Sequence, residues 1–132
     1  MSRLQKVILG GCSAVVAFDV LASLASVAFH FPYVRATVGS FLLFVAIGFL
    51  AARARATRRI RAAALAGATC GLIDSSVGWY LSTAIGASAP GLPLTLPRWL
   101  IIAATGMLFS TIFACMGGAV GAYRQPRGHR AG

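Results

Sequence analysis

Acidic residues are what this chain has least of. Its 132 residues include two carboxylates, Asp19 and Asp74, against twelve Lys and Arg. Only 11% of residues are charged, where a soluble domain carries about 25%. So few charges exclude an ordinary soluble surface. They also leave an enzyme few tools, because Lys6 is the sole lysine and there are only two histidines. The chain contains no phosphate-cradling glycine loop, no Gly-x-Ser-x-Gly elbow and no His-Glu-x-x-His helix. The expected protein is not an enzyme and needs no cofactor.

Cysteine is scarce as well. Cys12, Cys70 and Cys115 all lie in apolar stretches, and an odd number placed that way is no disulfide framework. No Cys-Cys or Cys-x-x-Cys spacing points to a soft metal, so the three read as small packing residues and no metal site is expected.

Apolar residues, in contrast, make up 58% of the chain. They form four runs, about Val7 to Phe29, Ala36 to Ala52, Ala62 to Ile85 and Trp99 to Tyr123. Each is near the ~20 residues a bilayer core needs. The runs are continuous rather than alternating, which favours helices over barrel strands. The expected fold is an all-α integral membrane protein, a single domain over residues 1–132. It consists of an antiparallel bundle of four transmembrane helices with a short basic tail at 124–132. A turn is expected at His30-Phe31-Pro32-Tyr33. A second loop, from Gly86 to Pro97, carries Pro90, Pro93 and Pro97.

The segment Leu9-Gly10-Gly11-Cys12 has the look of a lipoprotein cleavage box. The apolar run before Cys12 is too short for a signal core, and Asp19 speaks against a cleaved signal in the first run.

The basic residues set the orientation. Arg3, Lys6, the loop arginines Arg53, Arg55, Arg58, Arg59 and Arg61, and Arg124, Arg127 and Arg130 would share one side; only Arg35 and Arg98 would lie on the other. Both termini and the middle loop are therefore expected in the cytoplasm, with a bacterial inner membrane as the setting. The five loop arginines are candidate contacts for anionic lipid. Their confinement to loops between apolar runs argues against a nucleic-acid surface.

A carboxylate at the centre of a membrane helix costs roughly 2.5–3.5 kcal/mol on insertion scales, so such residues usually serve a site. Asp19 and Asp74 each lie twelve residues into their runs, about 18 Å deep at ~1.5 Å per residue. The matched depth suggests a parallel two-helix repeat, although few other residues pair in that alignment. Helical spacing gathers Cys12, Val16, Asp19, Ser23, Ser26 and His30 on one stripe of the first helix. Gly67, Gly71, Asp74, Gly78 and Ser82 form a stripe on the third, and Gly106, Ser110, Ala114, Gly117 and Gly121 form one on the fourth. The small residues predict close packing of the third helix on the fourth. No Lys or Arg lies within a run to neutralise either aspartate. If the two meet, they share a proton and titrate as a pair.

The expected function is a small transporter or channel-like protein. Its proton or cation site would be built on Asp19 and Asp74, with Ser23 and Ser75 beside them. It would act as a homo-oligomer or within a larger membrane complex. The alternative is a non-catalytic accessory or assembly subunit, in which the aspartates hydrogen-bond to a partner. The two differ in where the aspartates face, toward an internal cavity or toward an outer protein contact.

Overall fold

The computed structural model describes residues 1–87 and 95–123, and among these there are helices and turns but no strand. Helix α1 spans Arg3–Phe29, α2 Thr37–Arg53, α3 Arg59–Ile73, α4 Trp79–Ile85 and α5 Leu96–Tyr123. A 3-10 turn, Tyr33–Ala36, leads into α2, and a π turn, Asp74–Gly78, joins α3 to α4. Three segments are long and apolar enough to cross a bilayer: Arg3–Phe29, Tyr33–Arg53 and Leu96–Tyr123. The third apolar run is continuously helical from 59 to 85, but the π turn divides it into pieces that are each shorter than a span.

Helix α1 starts earlier than the apolar run because Ser2 caps it. Gln5 N–H donates to Ser2 Oγ at 3.2 Å and Ser2 N–H donates to Gln5 Oε1 at 2.7 Å, a reciprocal capping box. At its other end His30 adopts the left-handed conformation (φ 55°), Pro32 is extended, and Ser26 Oγ donates to the Phe31 carbonyl at 2.7 Å. This reversal carries the chain back toward α1. Helix α5 begins at Leu96, which places Pro97 within the first turn rather than in the loop. A proline there forfeits no helical hydrogen bond, since the first N–H groups have no partner inside the helix. Pro90 and Pro93 of the expected loop, and the expected tail at 124–132, lie outside the described residues.

Small residues set the close contacts. Helix α5 packs on both α2 and α3. A Cβ on Gly48 would fall on the Ala114 carbonyl, and one on Gly117 would fall on the Val45 carbonyl. A Cβ on Gly67 would come within 2.6 Å of the Ala114 methyl, and one on Gly71 would strike the Ser110 hydroxyl. Gly121 lies against Phe49, where a Cβ would stand 2.9 Å from the carbonyl oxygen. Backbones this close exchange dispersion contacts that lipid cannot match. Beside this three-helix contact, Val15, Phe44, Ile47, Ala51, Ala66 and Cys70 form an apolar core that joins α1 to α2 and α3. Leucines 21, 42, 50, 65, 100 and 108 face outward.

The arrangement is not that of two equivalent halves. Helix α3 packs on α5 and α2, while α1 packs on α2, α3 and α4 and does not approach α5. The parallel repeat suggested by the aspartate spacing therefore has no counterpart in the packing.

The π turn determines where space opens. Trp79 N–H donates to the carbonyl of Asp74, five residues back, which widens the helix by a residue. Below the turn α3 lies against α5. Above it α4 packs on α1 and approaches neither α2 nor α5. The divergence leaves a cavity between α1, α2, α4 and α5 on the side of the α1–α2 turn.

Candidate functional site

Hydroxyl groups on the helices are mostly satisfied by their own backbone. Ser13, Thr69, Ser76 and Thr111 each donate to the carbonyl four residues back, at 2.6–3.0 Å. In a lipid environment this is how an isolated hydroxyl avoids an unmet hydrogen bond. Against that background two buried side-chain atoms have no hydrogen-bond partner among the described residues, Asp19 Oδ2 and Ser23 Oγ.

Asp19 lies on the inward face of α1 and is 2% exposed. Its Oδ1 accepts a hydrogen bond from the Tyr33 hydroxyl at 3.2 Å. Tyr33 reaches it because the chain reverses at Phe31–Pro32 and starts the 3-10 turn with that residue. Asp74 opens the π turn, and its half-buried carboxyl faces that of Asp19 closely enough for a hydrogen bond when one of them holds a proton. Gly78, one turn further on, presents bare backbone to Asp19 Oδ2. The aspartates, from helices far apart in sequence, thus form one facing pair.

Both carboxyl groups line a cavity of about 520 Å³. Ser75 and Gly78 of the π turn, Trp79 and Ser82 of α4, Phe41 and Phe44 of α2, and Thr105, Gly106 and Phe109 of α5 complete much of its wall. No Lys or Arg lines it among the described residues. Nor do any three His, Cys, Asp or Glu among those residues group as a metal site would require.

Of the expected site residues, Asp19, Asp74 and Ser75 line this cavity together. Ser75 donates to the Gly71 carbonyl at 2.8 Å, so its hydroxyl is engaged within α3. Ser23 is fully buried beside the Tyr33 hydroxyl, without a well-formed bond to it, and is not on the cavity wall. The expected inward stripe of α1 is displaced by one position in its first half: Gly11 and Val15 are buried, while Cys12 and Val16 are half-buried. His30 is exposed at the helix end. Sequence reasoning did not find Tyr33 or the aromatic wall of Phe41, Phe44, Trp79 and Phe109. The one available signal was the stripe from Asp19 through Ser23 and Ser26, which points at the turn that carries Tyr33.

The glycines named for packing have distinct neighbours. Gly67, Gly71, Gly117 and Gly121 sit in helix contacts, whereas Gly78 faces Asp19 and Gly106 faces the Ser75 hydroxyl on the cavity wall.

The arginines of the α2–α3 connection divide as well. Arg59 Nη1 donates to the Ala122 carbonyl at 3.2 Å, which ties the start of α3 to the end of α5. Arg53 lies over the Phe49 ring, 5.4 Å from its centre. Arg55, Arg58 and Arg61, with Thr57, line a cleft of about 250 Å³ whose other walls are Leu4, Ala62 and Leu65.

Two cysteines meet across helices. Cys12 Sγ of α1 and Cys70 Sγ of α3 lie 3.5 Å apart, and Cys70 Sγ also approaches the Ile8 carbonyl at 3.8 Å. Cys115 on α5 is half-buried.

Comparison of the chain with protein-family models, curated proteins and solved structures finds no match.

Proposed function

We propose that this is a four-span membrane protein of a bacterial inner membrane, with both termini and the 53–61 loop in the cytoplasm. On this reading α3, the π turn and α4 cross together as the third span. Residues 59 to 85 at ~1.5 Å each reach about 40 Å, ample for a core of about 30 Å. The helices then alternate in direction as an antiparallel bundle. The basic bias between the two sides supports the orientation.

Within that frame the protein works as a small transporter or channel-like protein, with Asp19 and Asp74 as its proton or cation site. One observation carries this reading. Asp19 is almost wholly buried, one of its oxygens has no donor among the described residues, and it lines the same cavity as Asp74. The accessory-subunit alternative expects the aspartates at an outer protein contact; the burial of Asp19 and the cavity it shares with Asp74 favour the transport reading. The π turn adds a second support, since such turns recur at functional sites. One chain offers few walls for a complete pathway, so the working unit is a homo-oligomer or a larger assembly.

The test is proton and cation flux into liposomes at several pH values, for wild type, Asp19→Asn and Asp74→Asn. Asn keeps the size and much of the hydrogen bonding while removing titration. Flux is expected in wild type and should lose its pH dependence in both variants. Identical flux in all three would remove the aspartates from the mechanism, and no flux in any would favour the accessory-subunit reading.

A further inference from the structure

The cavity holds a second kind of information, the chemistry of its walls. The carboxyl pair lines it. The rings of Phe41, Phe44, Trp79 and Phe109 line the same cavity, and Tyr33 is bonded to Asp19. Phe41 is braced from behind by Phe113, the rings stacked with centres 4.3 Å apart and planes 15° from parallel. An aromatic face presents negative potential to a cation. A cavity lined by both carboxyl groups and four aromatic rings is an environment for a positive charge carried on an apolar body.

Size and ligand chemistry argue against an inorganic ion as the main occupant. A volume of about 520 Å³ lies within the roughly 300–1,000 Å³ of small-molecule pockets. A bare metal ion needs several oxygen ligands converging on one point; among the described residues no three His, Cys, Asp or Glu gather here, and the hydroxyls of Ser75, Ser82 and Ser110 are engaged with backbone carbonyls. Access fits as well. Because α4 does not approach α5, the cavity lies beside a gap between them, bordered by Ile101 and Phe109, whose side chains are outwardly exposed. An apolar solute dissolved in the bilayer meets that gap directly.

We infer that the cavity binds a monovalent organic cation with an apolar or aromatic body, such as a substituted ammonium, between the Asp19–Asp74 pair and the ring wall. The inference rests on the proposed transport reading and names its substrate class. One carboxyl of the pair holds either its proton or the cation. Binding of the cation therefore releases a proton to solvent, and lowering the pH expels the cation. Such exchange couples a proton gradient to cation movement without any further residue.

The experiment is calorimetric titration of the whole purified protein in detergent with benzyltrimethylammonium, between pH 6 and pH 8.5. Benzenesulfonate and sodium serve as comparison ligands. Benzyltrimethylammonium is expected to bind at least tenfold more tightly than either, and more tightly as pH rises, with proton release detected as a dependence on buffer ionisation heat. Asp19→Asn should weaken binding at least tenfold and abolish the pH dependence. Phe41→Leu should weaken it several-fold and leave the pH dependence in place. Equal binding of benzenesulfonate, or preference for sodium, would overturn the inference using the unmodified protein alone, so it does not depend on how the variants fold. An affinity indifferent to pH would do the same. Binding without flux in liposomes would overturn the transport reading and leave the site standing. Flux of inorganic ions without this binding would do the reverse.

Discussion

Gly78 has no side chain at the point where Asp19 needs the space: a Cβ there would collide with Asp19 Oδ2. Gly78→Ala must therefore push the carboxyl away from Asp74 or open the π turn. Overpacking of this kind costs roughly 1–3 kcal/mol, set against a gain of up to about 1 kcal/mol for replacing a helical glycine. A net loss of about 1–2 kcal/mol in thermal stability is expected, together with loss of pH-dependent flux. Gly10→Ala is the control, because nothing lies within 4 Å of a Cβ there. It should be neutral or slightly stabilising. If the two variants melt and transport alike, the packing of Gly78 on Asp19 is wrong.

Cys12 and Cys70 offer a direct check on how α1 meets α3. Their sulfurs are 3.5 Å apart, so a small approach brings them to bonding distance. Air oxidation catalysed by copper–phenanthroline should form an intramolecular disulfide, read as a mass loss of about two hydrogens and as a band resistant to thiol alkylation. Cys70→Ser should abolish it and Cys115→Ser should not. Persistence of two free thiols at these positions after exhaustive oxidation would place α1 elsewhere.

Much of the fold was legible because apolar runs and small-residue stripes are strong signals. The α5 stripe expected to meet the third helix divides instead: Ser110 and Ala114 lie against Gly71 and Gly67 of α3, whereas Gly117 and Gly121 lie against Val45 and Phe49 of α2. The face of α1 was less clear. When almost every residue is apolar, a stripe through Gly11 and Val15 differs little from one through Cys12 and Val16, and only the neighbouring Ile47 and Cys70 decide between them. Asp19 and Asp74 could be singled out for their cost in a membrane, but their wall could not. The π turn carries two long-range fits, Gly78 on Asp19 and Ser75 on Gly106, that no local pattern records. Tyr33 reaches Asp19 only because the chain doubles back at Pro32, a direction that residue identities alone do not specify.

Orientation has a simple test. A reporter that is active only outside the cytoplasm should stay silent when fused after Gly132 and become active when inserted beside Arg35. The motivation is the concentration of Arg and Lys on one set of connections. Activity of the Gly132 fusion would invert the topology.

The cleft lined by Arg55, Arg58 and Arg61 and by Leu4, Ala62 and Leu65 combines positive charge with apolar wall, the two features a phospholipid needs. Each basic residue near an anionic surface contributes about 1 kcal/mol. The triple variant Arg55→Gln, Arg58→Gln, Arg61→Gln should lose at least half of the anionic lipid that co-purifies with wild type. Arg59 is left in place because it holds the end of α5 through Ala122. Arg59→Gln alone should instead lower thermal stability with little change in lipid. Unchanged lipid in the triple variant would refute the assignment.

Two glycines set the approach of α2 to α5, where a Cβ on Gly48 would fall on the Ala114 carbonyl and one on Gly117 on the Val45 carbonyl. A leucine at either position forces the helices apart, while remaining as compatible with lipid as any apolar residue. Gly48→Leu and Gly117→Leu should therefore insert normally yet lose assembly, read as early melting and broadened elution in detergent. Separation of these helices also removes Phe41 and Phe44 from one side of the cavity and Phe109 from the other. Cation binding should consequently fall even though both aspartates are intact. Gly10→Leu, on a surface with open space, should retain both assembly and binding. If Gly48→Leu keeps wild-type stability, the small-residue contact is not what holds α2 to α5.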